Sequence, residues 1–500
     1  MVSGQHHARR SRQRPAWRKI PFLGLWMLAL LTAPMAMGQD LSLPDIGDYT
    51  QQYVTDSEER QIGREVLRGI GRRGALIEDV QLAEYLSSVG QRLAVYAAPP
   101  ANPYTFFWVD NPRINAFAAP GAYIGVHTGL LLASGREDEL AGVLAHEIAH
   151  VSQRHIARAI ADARQMALPT TAALIASMVL AATVDAELGQ AAITGTLAAG
   201  AQRQINFTRA NEQEADRIGS QILQKAGYDA SGLIDLFARL QRQYGRAAVE
   251  AYLTTHPLPA ERIADLGNRL ADRRPGGGGD AGRQIDYHLA RVRARVLTST
   301  GGQPLIDDFR ARLDSGDYAS ELAERYGYAL ALRQAGQIAG ASEQVAILRR
   351  RDPDRLAFRL EEAELALAMN DPARAWQLFE NARQLYGDDF SLTVHYGRAL
   401  INHGRAERAL ELLRPLTRRR PDSGVLLTLY AQAARLAGDR METHGALADY
   451  HRLRGELEQA IEQLEIGLRQ PGLTPFQEEQ LRAKLRRFEE EARVAERSRF

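Results

Sequence analysis

From Gly336 onward the chain repeats itself: Gly336, Asn370, Gly404 and Gly438 are spaced 34 residues apart, and Ala341, Ala375 and Ala409 sit five residues after the first three. Each residue of the first set closes one helix and each alanine lies on the next, so the period describes a helix-turn-helix unit. A single unit of that size cannot bury its own apolar face. Stacked units supply the missing core, and small residues at the contact let paired helices approach closely. The C-terminal half is thereby restricted to an α-helical solenoid of at least three repeats. Pro353 and Pro421, two periods apart, mark repeat junctions, and Gly455 with Ala460 restarts the pattern half a period late. Phe390 and Tyr396 read as packing residues inside the repeats, and Arg418-Arg419-Arg420 as a solvated helix end.

A chain of 500 residues exceeds what one core can serve, so a second domain is expected upstream. The run Pro275-Gly276-Gly277-Gly278-Gly279 cannot hold regular structure and places a linker at 273–283. That leaves an N-terminal domain over 39–272 and the solenoid over 284–500. At the start of the chain, Arg9, Arg10, Arg12, Arg14, Arg18 and Lys19 precede an apolar run from Pro21 to Leu31 and the small-residue pattern Ala36-Met37-Gly38. Residues 1–38 therefore read as a cleaved signal peptide.

Ile62, Val66, Ile70, Leu82, Leu86, Val89 and Leu93 fall at helical spacing and predict two amphipathic helices within 56–97. The aromatic and β-branched stretch Tyr104 to Val109, a turn at Asn111-Pro112, and Ala116 to Thr128 with Pro120-Gly121 inside it predict a small sheet containing a hairpin. The fold class is thus mainly α with a small β-sheet. Ser134 with Glu137 three residues later reads as a capping box opening the next helix, along which Leu140, Val143, Leu144, Ile148 and Val151 share one face. The segment 167–201 is apolar and small-residue-rich. It is open to three readings: a membrane span, a buried helix pair, or a flap that faces a membrane or covers a cleft. A net charge of +1, with much of the basic excess in the first twenty residues, argues against a nucleic-acid partner.

Cysteine is absent, so any strong metal site must be built from His, Asp and Glu. His146-Glu147-Ile148-Ala149-His150 places two imidazoles four residues apart on one helix. They aim at a common point with Glu147 beside them. This suits one zinc with two histidine ligands, a third ligand from elsewhere and a water in the open position, Glu147 acting as general base. The segment Asn211-Glu212-Gln213-Glu214-Ala215-Asp216 offers candidates for the third ligand, among which spacing alone cannot choose. Glu212 and Asp216 share a face, so one can bind metal while the other orients an imidazole. Glu214 points elsewhere. His155, five residues beyond His150, falls on a different face, reads as structural and is left out of the site.

HEIAH followed by Arg209-Ala210-Asn211-Glu212-Gln213-Glu214-Ala215-Asp216 resembles the CAAX-prenyl-protease and HtpX-type zinc metallopeptidase family, which pairs H-E-x-x-H with E-x-x-x-D. The resemblance implies a zincin-like α+β domain in which His146, His150 and Glu212 bind Zn2+, one per chain. It also implies that Glu147 is the base and that Asp216 supports a ligand. Asn115-Ala116-Phe117-Ala118-Ala119-Pro120-Gly121 resembles the family's edge strand, a place for a peptide substrate to add as a strand. The 34-residue repeats are similar to tetratricopeptide repeats. With the signal peptide, they make the chain resemble periplasmic family members that degrade stalled or misfolded outer-membrane proteins and assist their assembly. Those members engage substrates and the barrel-assembly machinery, with possible peripheral membrane contact. In that group the segment matching Thr255-His256-Pro257-Leu258-Pro259 supplies a histidine, here His256, that can occupy the open zinc position and hold the enzyme latent. Arg262 matches a catalytically supportive arginine. The competing expectation is a repeat-based chaperone or assembly factor with little or latent proteolysis.

Overall fold

The computed structural model of the chain describes residues 54–165, Met178, 201–253 and 281–497. The signal-peptide segment, nearly all of the apolar stretch 167–201, and the glycine-rich residues 273–280 lie outside the described residues.

Two amphipathic helices open the N-terminal lobe. Helix α1 (Asp56–Arg72) starts from a capping box in which the Thr55 hydroxyl accepts the Glu58 N–H and the Glu58 carboxylate accepts the Thr55 N–H. Helix α2 (Val80–Ala94) is capped by Asp79, which accepts the Leu82 N–H at 3.0 Å. The apolar positions expected from their spacing are all buried. Strands β1 (Thr105–Val109), β2 (Ala116–Ala119) and β3 (Tyr123–His127) form a sheet of order β1-β3-β2. The hairpin is β2–β3, turned by Pro120, Gly121 and Ala122, the last two with φ of 73° and 65°. β1 pairs parallel to the far side of β3, so β3 is buried along its length and β2 lies at the sheet edge.

After helix α3 (Thr128–Ala133) comes α4 (Glu137–Ser152), the centre of the lobe. It is buried from Glu137 to His150 on all sides, where the sequence suggested one apolar face. The reason is its neighbours: α2, β2, α6 (Ala201–Lys225) and α7 (Gly232–Leu253) surround it. Two glycines let α7 begin directly against its backbone. A Cβ on Gly232 would stand 2.0 Å from the Asp138 carbonyl oxygen, and one on Gly142 would stand 2.8 Å from the Leu233 nitrogen. The capping box expected at Ser134 and Glu137 does not form. Ser134 ends α3, its hydroxyl donating to the Leu131 carbonyl and lying 2.9 Å from the Tyr287 hydroxyl. The cap position of α4 is Arg136, and Glu139 instead accepts the Gly135 N–H at 2.7 Å. A short helix α5 (His155–Gln165) follows α4.

Helix α8 (Ala281–Thr298) begins inside the stretch read as linker and belongs to two cores at once. Tyr287, Ala290 and Ala294 pack with residues of α2 and α4, while Leu289, Val292 and Val296 pack with α9 (Gln303–Ser315) and α10 (Glu321–Gln334). The repeats then run as helix pairs: α10 with α11 (Ile338–Arg351), α12 (Leu356–Ala368) with α13 (Pro372–Tyr386), α14 (Phe390–Asn402) with α15 (Ala406–Arg419), and α16 (Gly424–Leu436) with α17 (Arg440–Arg454). α18 (Leu457–Leu468) and α19 (Pro475–Arg497) complete the array. Gly336, Asn370, Gly404 and Gly438 each turn a pair with φ between 60° and 77°, a region where only glycine, and less readily asparagine, sits without strain. Ala341, Ala375 and Ala409 are fully buried at the helix contacts, and Phe379 stacks on Tyr396 at 4.8 Å.

The solenoid docks on α2. Arg293 of α8 makes a two-pronged ion pair with Asp79, at 2.7 and 2.6 Å, and donates to the Tyr326 hydroxyl at 2.9 Å. Arg420, exposed at the helix end as expected, also pairs with Glu84 of α2 at 2.9 and 3.0 Å. Arg68 donates to the Leu453 carbonyl at 3.1 Å. Among the described residues no helix is long and apolar enough to cross a membrane.

Candidate metal centre

Helical spacing places His146 and His150 one above the other on α4, and their Nε2 atoms meet at 3.0 Å. Opposite them α6 brings Glu212, whose carboxylate oxygens lie 3.3 Å from His146 Nε2 and 3.3 Å from His150 Nε2. All three side chains are buried, and their ligand atoms fall within 4.8 Å of one another, a cluster able to hold a metal ion. The choice that spacing left open is made by the helix contact: Glu212 faces the imidazoles. Asp216, one turn on, stands 3.0 Å from His146 Nδ1. Glu147, buried beside His146, is the remaining acidic group that α4 places at the cluster. His256 and Arg262 lie outside the described residues.

The electrostatics of the cluster favour a cation. Burial pushes the His146 imidazolium down, but Asp216 and Glu212 outweigh it and lift its pKa to about 10. His150 is equally buried; there burial, aided by the charge on His146, wins over Glu212 and lowers the ring. Three buried carboxylates, Glu147, Glu212 and Asp216, stand around the two imidazoles. A bound divalent cation would balance them.

Two residues set aside from the sequence stand at this site. His155 is buried, and its Nδ1 lies 2.9 Å from His150 Nδ1. Its Nε2 is 3.1 Å from Glu214 Oε2, so Glu214, as expected, is turned away from the His146–His150–Glu212 cluster and meets His155 instead. Burial lowers the His155 ring, and the hydrogen bond with His155 lowers Glu214. The spacing argument that put His155 on a different face from His150 holds only along an unbroken helix. α4 stops at Ser152, and the chain turns at Arg154, with φ of 55°, so that α5 starts with His155 beside His150. A non-glycine residue in that region costs about 1–3 kcal/mol. Arg154 offsets the cost through ion pairs to Asp56 at 2.9 Å and to Glu59, both in the first turn of α1. No local sequence signal announces this turn, because its support comes from nearly a hundred residues away.

Peptidase family M48 matches residues 81–270, and a tetratricopeptide repeat family matches residues 366–433. The beta-barrel assembly-enhancing protease of Escherichia coli is 32% identical over 92% of this chain and 95% of its own length. The protein of the same name from Yersinia pestis is 33% identical over 86% of this chain and 90% of its own length. The mitochondrial metalloendopeptidase OMA1 of Schizosaccharomyces pombe is 31% identical over 36% of this chain and 51% of its own length. The chain belongs to the beta-barrel assembly-enhancing protease family, metalloendopeptidases that join an M48 peptidase domain to C-terminal tetratricopeptide repeats.

Proposed function

We propose that this metallopeptidase binds one zinc per chain through His146, His150 and Glu212, and that it acts in the periplasm on outer-membrane proteins that are misfolded or stalled in assembly. The observation that carries the reading is the convergence of two imidazole nitrogens from the buried stretch of α4 and a carboxylate from α6 at 3.0–3.3 Å. Tetrahedral zinc with bonds of about 2.0–2.1 Å holds its ligand atoms about 3.3 Å apart, so the donor set fits. Bound zinc supplies Lewis-acid activation of water and of the scissile carbonyl. Glu147 takes the proton of the attacking water and returns it to the leaving amine. Asp216, 3.0 Å from His146 Nδ1, would orient that imidazole towards a bound metal. The edge strand β2, packed on α4, is placed to pair with an extended substrate segment.

The division into a peptidase domain over 39–272, a linker at 273–283 and repeats over 284–500 belongs to the same reading, with 1–38 as the signal peptide that directs export. The repeats engage client proteins and the barrel-assembly machinery, with peripheral membrane contact. His256 closes the open metal position at rest, and Arg262 supports catalysis. Support for these assignments comes from the sequence resemblance and from the shared name of the relatives.

Glu147→Gln is the direct test. The variant keeps stoichiometric zinc and loses casein cleavage by about 100-fold or more. Cleavage at the wild-type rate would exclude Glu147 as the base. A cleavage-dead variant that still restores outer-membrane protein levels in cells would assign the assembly role to client binding by the repeats.

A further inference from the structure

The two imidazoles of the cluster are held from behind in different ways, and the difference defines a role for a third histidine. Behind His146 stands a carboxylate, Asp216, at 3.0 Å. Behind His150 stands another imidazole, His155, with its Nδ1 at 2.9 Å from His150 Nδ1 and the rings crossed at 80°. His155 is 3% exposed, and its far nitrogen meets Glu214 at 3.1 Å. Helix α6 therefore sends three carboxylates to one site: Glu212 to the Nε2 pair, Asp216 to His146, and Glu214 to His155.

Hydrogen-bond bookkeeping orders this chain of groups. Of two Nδ1 atoms 2.9 Å apart, one must carry the proton and the other must not. If His150 presents its Nε2 lone pair to a metal, its proton sits on Nδ1, and that N–H donates to His155 Nδ1. His155 then carries its proton on Nε2 and donates to the Glu214 carboxylate. Every polar atom in the row has one role, and the tautomer of His150 is set by a partner two groups removed. Arg158 and Arg217, 3.7 and 3.9 Å from Glu214, anchor the outer end.

We propose that His155 is a positioning residue of the metal centre, fixing the tautomer and ring plane of His150 through a relay that ends on Glu214. The proposal rests on the metal reading above. A phenyl ring at 155 would fill the space without accepting the His150 N–H, leaving that donor buried and unpaired. A glutamine offers an oxygen acceptor towards His150 and an NH2 donor towards Glu214, so it can restore the row.

The test measures zinc affinity of the full chain by competition with a chromogenic chelator, together with the visible absorption spectrum of the cobalt(II)-substituted protein. His155→Phe is expected to weaken zinc by about 10–100-fold and to change the cobalt spectrum, as loss of an outer partner of a ligand histidine does. His155→Gln recovers most of both. At saturating zinc, kcat of His155→Phe falls while KM for a peptide substrate stays near the wild-type value. Equal zinc affinity and identical cobalt spectra for wild type and His155→Phe would overturn the positioning role. A wild-type chain that binds no stoichiometric zinc would instead overturn the metal reading, and the relay with it. Should His155→Phe not fold, Glu214→Gln at the half-exposed end decides: a several-fold weaker zinc affinity upholds the relay, and unchanged affinity sinks it.

Discussion

Asp79→Asn is a sharp probe of how the repeats are joined to the peptidase. Asp79 accepts the Leu82 N–H as the cap of α2 and, with the same carboxylate, takes both prongs of Arg293 at 2.7 and 2.6 Å. Arg293 is 7% exposed, and its remaining nitrogen donates to the buried Tyr326 hydroxyl, so solvent screens its charge little. Asparagine is as good a cap as aspartate, which confines the perturbation to the ion pair. What remains is a buried guanidinium without its counter-charge, a loss of about 3–5 kcal/mol. Asp79→Ala adds about 1 kcal/mol for the lost cap. The double variant Asp79→Asn/Arg293→Met removes both charges and recovers most of the loss, because a buried pair replaced by apolar packing is close to neutral.

Urea unfolding at pH 7 reads this out. Trp108 lies in the core around α4, and Trp376 lies in the repeats, so single-tryptophan variants follow each lobe separately. Their transitions coincide in the wild type and separate in Asp79→Asn. The pH dependence has a definite sign. Burial pushes the Asp79 carboxyl up, but Arg293 more than offsets it and holds the group below its ordinary value of 3.8. Its contribution is therefore fully present above that value and is lost as pH falls through the lower folded one. The gap between wild type and Asp79→Asn stays constant from about pH 8 to 5 and closes below about pH 4. The reasoning fails if Asp79→Asn lies within about 0.5 kcal/mol of wild type at pH 7, or if the double variant is no more stable than the single one.

Two further outcomes concern the metal site. Asp216→Ala leaves His146 Nδ1 without its 3.0 Å partner and weakens zinc by about 10–100-fold in chelator competition; unchanged affinity would remove Asp216 from the site. His256→Ala and Arg262→Ala are expected to move casein cleavage in opposite directions, the first raising it by freeing the open metal position and the second lowering it. A His256→Ala enzyme no faster than wild type would count against latency.

Features governed by local spacing were legible before any tertiary contact was known. The 34-residue period predicted the turn residues and the buried alanines, because each repeat packs only on its neighbours and so writes its geometry into a short sequence. His146 and His150 converge because four residues on a helix nearly complete one turn, and that holds whatever surrounds it. Glu212 and Asp216 share a face for the same reason, although which of the acidic residues met the imidazoles needed the packing of α6 on α4. The hairpin β2–β3 was readable from its turn, whereas the parallel crossing of β1 to the far side of β3 was not.

What tertiary structure alone decided follows from interactions between residues far apart in the chain. Ser134 had the spacing of a helix cap, but Tyr287 and the Leu131 carbonyl claim its hydroxyl. Arg420 is the solvated helix end its sequence suggested, but its exposed pairing with Glu84 could not be read from the repeat alone. α8, whose start falls at the end of the stretch read as linker, buries one face in each lobe. His155 is the clearest case. Its place behind His150 depends on a left-handed turn at Arg154 that carries no glycine and is held by Asp56 and Glu59. The sequence by itself determined the helices, the repeats and the residues able to bind a metal, since periodicity acts within a few turns. Which groups stand behind those residues was decided by the fold, since only packing brings such distant charges to one point.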